Sequence, residues 1–240
     1  MSDLWDRHAT WWQRGFTEGA DPEYTEQIVP LATQWLTGFE AVLDLGCGEG
    51  QIARRAVAAG ATTVVGVDRA RNQVAEAVAR GGGVLGVLGD AESLPFAAAS
   101  FDAAVACLVF EHLGGLDAAC GEVARVLRPG GRFVLFLNHP FVQTPGSGWI
   151  DDQVIEPPEQ YWRVGPYLVE DYRLEEVDRG VHLGFHHRPL SRYVNGLAAV
   201  GLSIEHMLEP APPPGFVAQA PEYDGITTLP RLLVLVTRRA

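Results

Sequence analysis

Lysine is absent from this chain: all eighteen basic residues among its 240 are arginine. Without an ε-amine there is no Schiff-base chemistry, no Walker lysine and no lysine general base. Cysteine is scarce too. Cys47, Cys107 and Cys120 show no C-x-x-C spacing, which predicts free thiols in a reducing cytoplasm. No metal site is expected, because His186 and His187 lack a further Cys, His, Asp or Glu at ligand spacing. Positive charge is in deficit: 30 acids against 18 arginines give a formal charge of −12, which argues against gripping phosphate backbones. Long apolar runs are missing as well. Leu232 to Val236 is too short to cross a bilayer and Met1 to Arg7 holds no apolar signal core, so neither a membrane nor a nucleic acid is an expected partner.

What is present begins with the stretch Val42-Leu43-Asp44-Leu45-Gly46-Cys47-Gly48-Glu49-Gly50. A short apolar run enters three glycines at alternate positions, where a tight strand-to-helix turn lets a ligand approach the main-chain N–H groups. A dinucleotide fingerprint would need glycine at 51, and Gln51 stands there instead. Beyond this loop strands and helices alternate with the rhythm of a parallel sheet. Helices are expected at 52–59, 71–79 and 117–126, and strands at 63–67, 84–88, 103–108 and 132–137. From 140 to 188 the periodicity breaks down, aromatics crowd in beside nine carboxylates and four arginines, and the segment reads as an insertion over the sheet. A helix at 190–200, a strand at 202–208, a proline-rich loop from Pro210 to Pro221 and a strand at 231–237 follow. With no helix between them, the last two strands should pair antiparallel.

Acids close the strands where an open parallel sheet binds its ligand. Asp68 ends the second strand and Asp90-Ala91 follows the third. Then come Leu94-Pro95-Phe96, Ser100-Phe101-Asp102, Glu111-His112-Leu113 and Arg125-Val126-Leu127-Arg128-Pro129-Gly130-Gly131. This ordered series, over about positions 40 to 138, resembles the small-molecule (type 11-like) branch of the class I S-adenosylmethionine-dependent methyltransferases. Arg188-Pro189-Leu190-Ser191 is similar to that branch as well. The resemblance implies an α/β, Rossmann-like doubly wound sheet of seven strands with the last one antiparallel. Around it the chain divides into an N-terminal helical lid (1–39), the cofactor domain (40–139 and 189–240) and an inserted substrate cap (140–188).

The resemblance further implies S-adenosylmethionine as cofactor, its methionine end held by Asp44, Gly46, Gly48 and Gly50, its ribose by Asp68, its adenine by Asp90 and Ala91, with Leu108 beside the sulfonium. Cys47 and Arg69 complete the cofactor set. Methyl transfer is an in-line displacement, for which holding acceptor, methyl and sulfur collinear matters most, so an obligatory nucleophile is not required. A base, where one is used, would be His139, directly after the fifth strand, or His112 beyond the fourth. Trp11 and Trp12 are the candidate lid aromatics; Asp102 is set aside as a turn cap. The expected reaction is O- or N-methylation of a small organic acceptor, and a homodimer is compatible with it. The alternatives are a cofactor-binding sensor or interaction protein without turnover and, third, a nicotinamide oxidoreductase.

Overall fold

A computed structural model describes residues 2–219 and 225–240. The chain starts with α1 (Ser2–Arg7) and α2 (Ala9–Gly15), then a π-helical turn (Tyr24–Ile28) that runs into α3 (Val29–Leu36). β1 (Ala41–Leu45), α4 (Gln51–Ala58), β2 (Thr63–Asp68), α5 (Arg71–Arg80) and β3 (Val84–Leu88) follow. Next come β4 (Phe101–Cys107), α6 (Leu116–Val126) and β5 (Leu127–Asn138). Two hairpins then intervene, β6 (Gly148–Asp152) with β7 (Glu159–Arg163) and β8 (Asp171–Asp178) with β9 (Val181–His187). α7 (Leu190–Ala199), β10 (Leu202–Leu208), α8 (Pro214–Gln219) and β11 (Leu232–Arg239) close the fold.

The main sheet has seven strands in the order β10-β11-β5-β4-β1-β2-β3. β1 to β5 pair parallel, and β11 runs antiparallel to both β5 and β10. Period-2 geometry sends alternate side chains to opposite faces. Leu43 and Leu45 of β1 therefore join Cys120, Val123 and Leu197 under α6 and α7. Val42 joins Ile28, Leu36, Ile52 and Ala53 under α3 and α4. Both faces are covered, as parallel strands with continuous apolar runs require. The strand order reverses between β1 and β4, and the crevice at their carboxyl ends is where such a sheet takes its ligand.

Three local differences from the sequence reading have physical causes. β5 starts at Leu127, earlier than 132, because Leu127 pairs with Phe101 before a bulge at Pro129-Gly130-Gly131 restores register at Arg132. Segment 140–188 holds two hairpins where no strands are expected, since β8 and β6–β7 keep most residues exposed and so lack the inward apolar alternation that marks a strand. The proline-rich loop carries the short helix α8, and its end at 220–221 lies outside the described residues. Asp102 serves architecture: it accepts the Ala41 N–H and pairs with Arg128, tying β4 to the start of β1.

Candidate active site

The glycine loop between β1 and α4 is shaped by two different demands. Gly46, at φ +63°, lies flush against Val109, and a Cβ there would meet Val109 Cγ2 at 2.4 Å. Gly48, at φ +54°, has no such neighbour; its Cβ would project toward Trp12 Nε1 at 3.6 Å, into an open cavity. Every cofactor residue assigned from sequence except Gly50 lines this cavity of about 110 Å³. Gly50 sits behind it in the left-handed conformation as the N-cap of α4.

Carboxylates gather at the inner end. Asp44 is 1% exposed and its Oδ2 accepts the Ala53 N–H at 2.9 Å, which fastens the first turn of α4 to β1. Burial, reinforced by the neighbouring charges of Asp68 and Glu49, pushes the Asp44 carboxyl up to about 8. Asp68 accepts from Gly48 N at 2.9 Å on one oxygen and from Ala70 N at 2.8 Å on the other, leaving each oxygen a second lone pair. Burial raises this carboxyl also. Asp90 accepts the Glu92 N–H on Oδ1, next to buried Ala91. Leu108 takes φ +54°, a strained conformation for a γ-branched residue, at the point where β4 turns away from the cavity.

The outer end is apolar and aromatic, with Trp5, Tyr172 and Leu113 around His112. His112 Nδ1 lies 2.8 Å from the carbonyl oxygen of Gly184 in β9, and since a carbonyl only accepts, Nδ1 carries the proton. Trp5 and Phe185 cover the ring at centroid distances of 4.8 and 4.7 Å. Burial lowers the imidazole to about 4, so it is neutral near pH 7 with Nε2 as a lone-pair site. His139 is elsewhere. Its Nδ1 accepts the Phe141 N–H at 3.1 Å, its Nε2 donates to Glu209 at 2.7 Å, and it does not line the cavity.

The N-terminal helices roof the cavity. Trp12 lines it and stacks on Phe16 at 4.4 Å, whereas Trp11 turns outward and donates to Asp178 of β8 at 2.8 Å. Sequence reasoning missed Leu4, Trp5 and Tyr172; the helix breaks at His8, so Trp5 reaches the cavity where Trp11 does not. Polar contacts hold this roof down. Asp6 caps α5 by accepting from Asn72 N at 2.7 Å, and Gln13 donates to Gln73 at 2.9 Å. Gln51, standing where a dinucleotide site needs glycine, bonds the backbone of Phe16 and Glu18. Arg80 joins Glu18 of the roof to Glu49 of the glycine loop.

Residues 43–135 match the family described as a methyltransferase domain. A crystal structure of an S-adenosylmethionine-dependent methyltransferase from Mesorhizobium loti superposes with a TM-score of 0.74 at 30% identity, covering 88% of this chain and 96% of that one. The chain belongs to the S-adenosylmethionine-dependent methyltransferases. An O-methyltransferase of Pyrenophora dematioidea is 30% identical over 52% of this chain and 50% of its own length, and the chain spans about half the length of the curated relatives it matches. A [4+2]-cyclase, SpnF, shares the fold with a TM-score of 0.58 at 21% identity over 89% of this chain and 80% of that one. Within this methyltransferase family the cofactor is S-adenosylmethionine, and the residues here fit it. The open space in front of Gly48 admits a ligand to the loop, among the described residues no side-chain cation is hydrogen-bonded to Asp44, and Asp68 keeps lone pairs for two hydroxyls. Among the described residues no group of His, Cys, Asp and Glu is arranged to hold a metal, and no helix is long and apolar enough to cross a membrane.

Proposed function

We propose that this methyltransferase-family chain transfers a methyl group from S-adenosylmethionine to the hydroxyl of a small, flat, largely apolar acceptor. The observation that carries the reading is the continuity of one cavity from the acidic glycine-loop end to the neutral Nε2 of His112. When bound, the cofactor supplies an electrophilic methyl group on a sulfonium. Asp68 would hold the ribose, Asp90 and Ala91 the adenine, and Asp44 the methionine ammonium, whose charge suits a buried carboxyl bonded only by a backbone N–H among the described residues. Cys47 and Arg69 complete the wall of that half, and Leu108, which also lines it, would lie beside the sulfonium. Trp5 and Trp12 exclude water, which protects a reaction whose rate comes mainly from alignment.

His112 Nε2 receives the hydroxyl proton as the new C–O bond forms, a contribution of about 100- to 10,000-fold. Oxygen is favoured over nitrogen because the acceptor end is aromatic and apolar, with the His112 Nε2 lone pair as its base and, among the described lining residues there, no carboxylate to hold an ammonium. The O-methyltransferase relatives agree with that preference. Segment 140–188, through Tyr172 and Gly184, would form the acceptor cap.

Isothermal titration with S-adenosylhomocysteine, followed by mass-spectrometric assay of phenols, enols and amines with S-adenosylmethionine, tests the proposal. Methylated phenol or enol products support it. Tight cofactor binding with no product from any acceptor would make the chain a sensor or a protein with another activity on this fold, and amine products alone would overturn the oxygen assignment.

A further inference from the structure

We infer that Arg188 is a positioning residue for the base: from the end of β9 it holds the turn after β4 in the shape that aims His112 into the cavity. The inference rests on the methyltransferase reading and on the role given there to His112. Arg188 is 5% exposed, and its guanidinium donates to Phe110 O at 3.2 Å, Leu113 O at 2.6 Å and Gly114 O at 3.0 Å. Those three carbonyls bracket His112. They belong to a single 3-10 turn, Phe110–His112, and its exit: Phe110 O also takes the Leu113 N–H, whereas the Leu113 and Gly114 carbonyls lie past the turn, where no helix continues.

The planar guanidinium suits this task because its donors are fixed in one fork, and a lysine ammonium cannot reproduce three such directions at once. These hydrogen bonds go to neutral carbonyls, not to a carboxylate, so the geometry they enforce is their significant product. The same strand provides Gly184, whose carbonyl fixes the His112 tautomer. β9 thus holds the imidazole twice, by its Nδ1–H and by the backbone that carries it. Trp5 and Phe185 cover the ring, and His186 is the titratable group that acts on it from β9. Glu111, beside His112, bonds Asn138 and leaves one buried carboxyl oxygen without a partner. On its outer side Arg188 Nε faces Glu170 of the cap at 4.0 Å.

Long-range proton–nitrogen spectra of protein labelled with 15N-histidine, recorded with S-adenosylhomocysteine present, read the tautomer of His112 without any acceptor; a His112→Gln variant assigns its signals. The wild type should show a single neutral form protonated on Nδ1. In Arg188→Met both ring nitrogens should move to averaged shifts while affinity for S-adenosylhomocysteine changes by less than about threefold. Arg188→Lys, which keeps the charge and loses the fork, should average partly. A wild-type His112 spectrum in Arg188→Met overturns the inference and leaves Arg188 as a pin between cap and core. If Arg188→Met does not fold, Arg188→Lys decides: an unaltered spectrum in it overturns the inference equally. Failure of the wild type to bind S-adenosylhomocysteine would instead refute the cofactor reading, a separate result.

Discussion

Gly184 accepts the Nδ1–H of His112 at 2.8 Å, across 72 positions of sequence. One backbone carbonyl in the inserted segment therefore decides which nitrogen of a core histidine is free. His112→Gln should lower single-turnover methyl transfer by about 100- to 10,000-fold with S-adenosylhomocysteine affinity retained. Because burial sets His112 to about 4, kcat should stay level from pH 8 down to 5 and fall only as the imidazole protonates near 4. An acid limb near 6.5 would show that a different group is the base.

His139→Ala should behave in the opposite manner. Both ring nitrogens serve structure, joining the end of β5 to Glu209 and to the Phe141 N–H. Its loss should cost about 1–3 kcal/mol in denaturant unfolding, with turnover per folded molecule unchanged.

Asp44 predicts an unusual pH dependence of stability. Its carboxyl rises from 3.8 to about 8 on folding, so the native state binds a proton that the unfolded state releases. The associated stability is complete below pH 3.8 and lost as pH rises through 8. Asp44→Asn should remove that slope, leaving the ligand-free protein more stable than wild type at pH 8.5, while weakening S-adenosylhomocysteine binding at least about tenfold. Thermal melts from pH 5 to 9 with and without ligand check both halves.

Gly46 and Gly48 separate folding from binding. Gly46→Ala drives a Cβ into Val109 and should cost about 1–3 kcal/mol of stability. Gly48→Ala also strains a positive φ, yet its methyl enters ligand space, so it should lose cofactor affinity far out of proportion to any change in melting temperature. Equal affinities for the two variants would contradict this division.

The parts of the site that local chemistry dictates were legible in the sequence. Asp44 through Gly50, Asp68 and Asp90 declare themselves because a strand end, a tight turn and an acid are all short-range patterns. Sequence alone puts His139 ahead of His112 as the base, because strand ends are visible in sequence and strand neighbours are not. β5 lies beside β11, and the His139 N–H bonds Arg231 O there, which directs the residue away from the switch point. Gly184 and Arg188 act through backbone carbonyls, which no residue type encodes. The hairpins of segment 140–188 are hidden for a related reason: β8 shows one exposed position after another, so burial leaves no alternation to read.

Arg80 gives a fifth handle. It reaches Glu18 at 3.1 Å, Glu49 at 3.2 Å and Glu76 at 2.8 Å, and donates to Thr17 Oγ1 at 3.2 Å. Arg80→Ala leaves Glu49 with Arg54 as its remaining ion-pair partner and should speed amide exchange in residues 9–20. Dissociation of S-adenosylhomocysteine should quicken by about three- to tenfold in stopped-flow measurements.

Trp5 and Trp12 hang from one stretch of chain, pinned by Asn72 and Gln51 on the sheet side and by Asp178 beyond. On the proposed reading, donor and acceptor would share the one cavity that this pair of indoles roofs. The donor would then load before the acceptor, the methylated product would leave before the spent donor, and release of that last species would set the pace of the cycle.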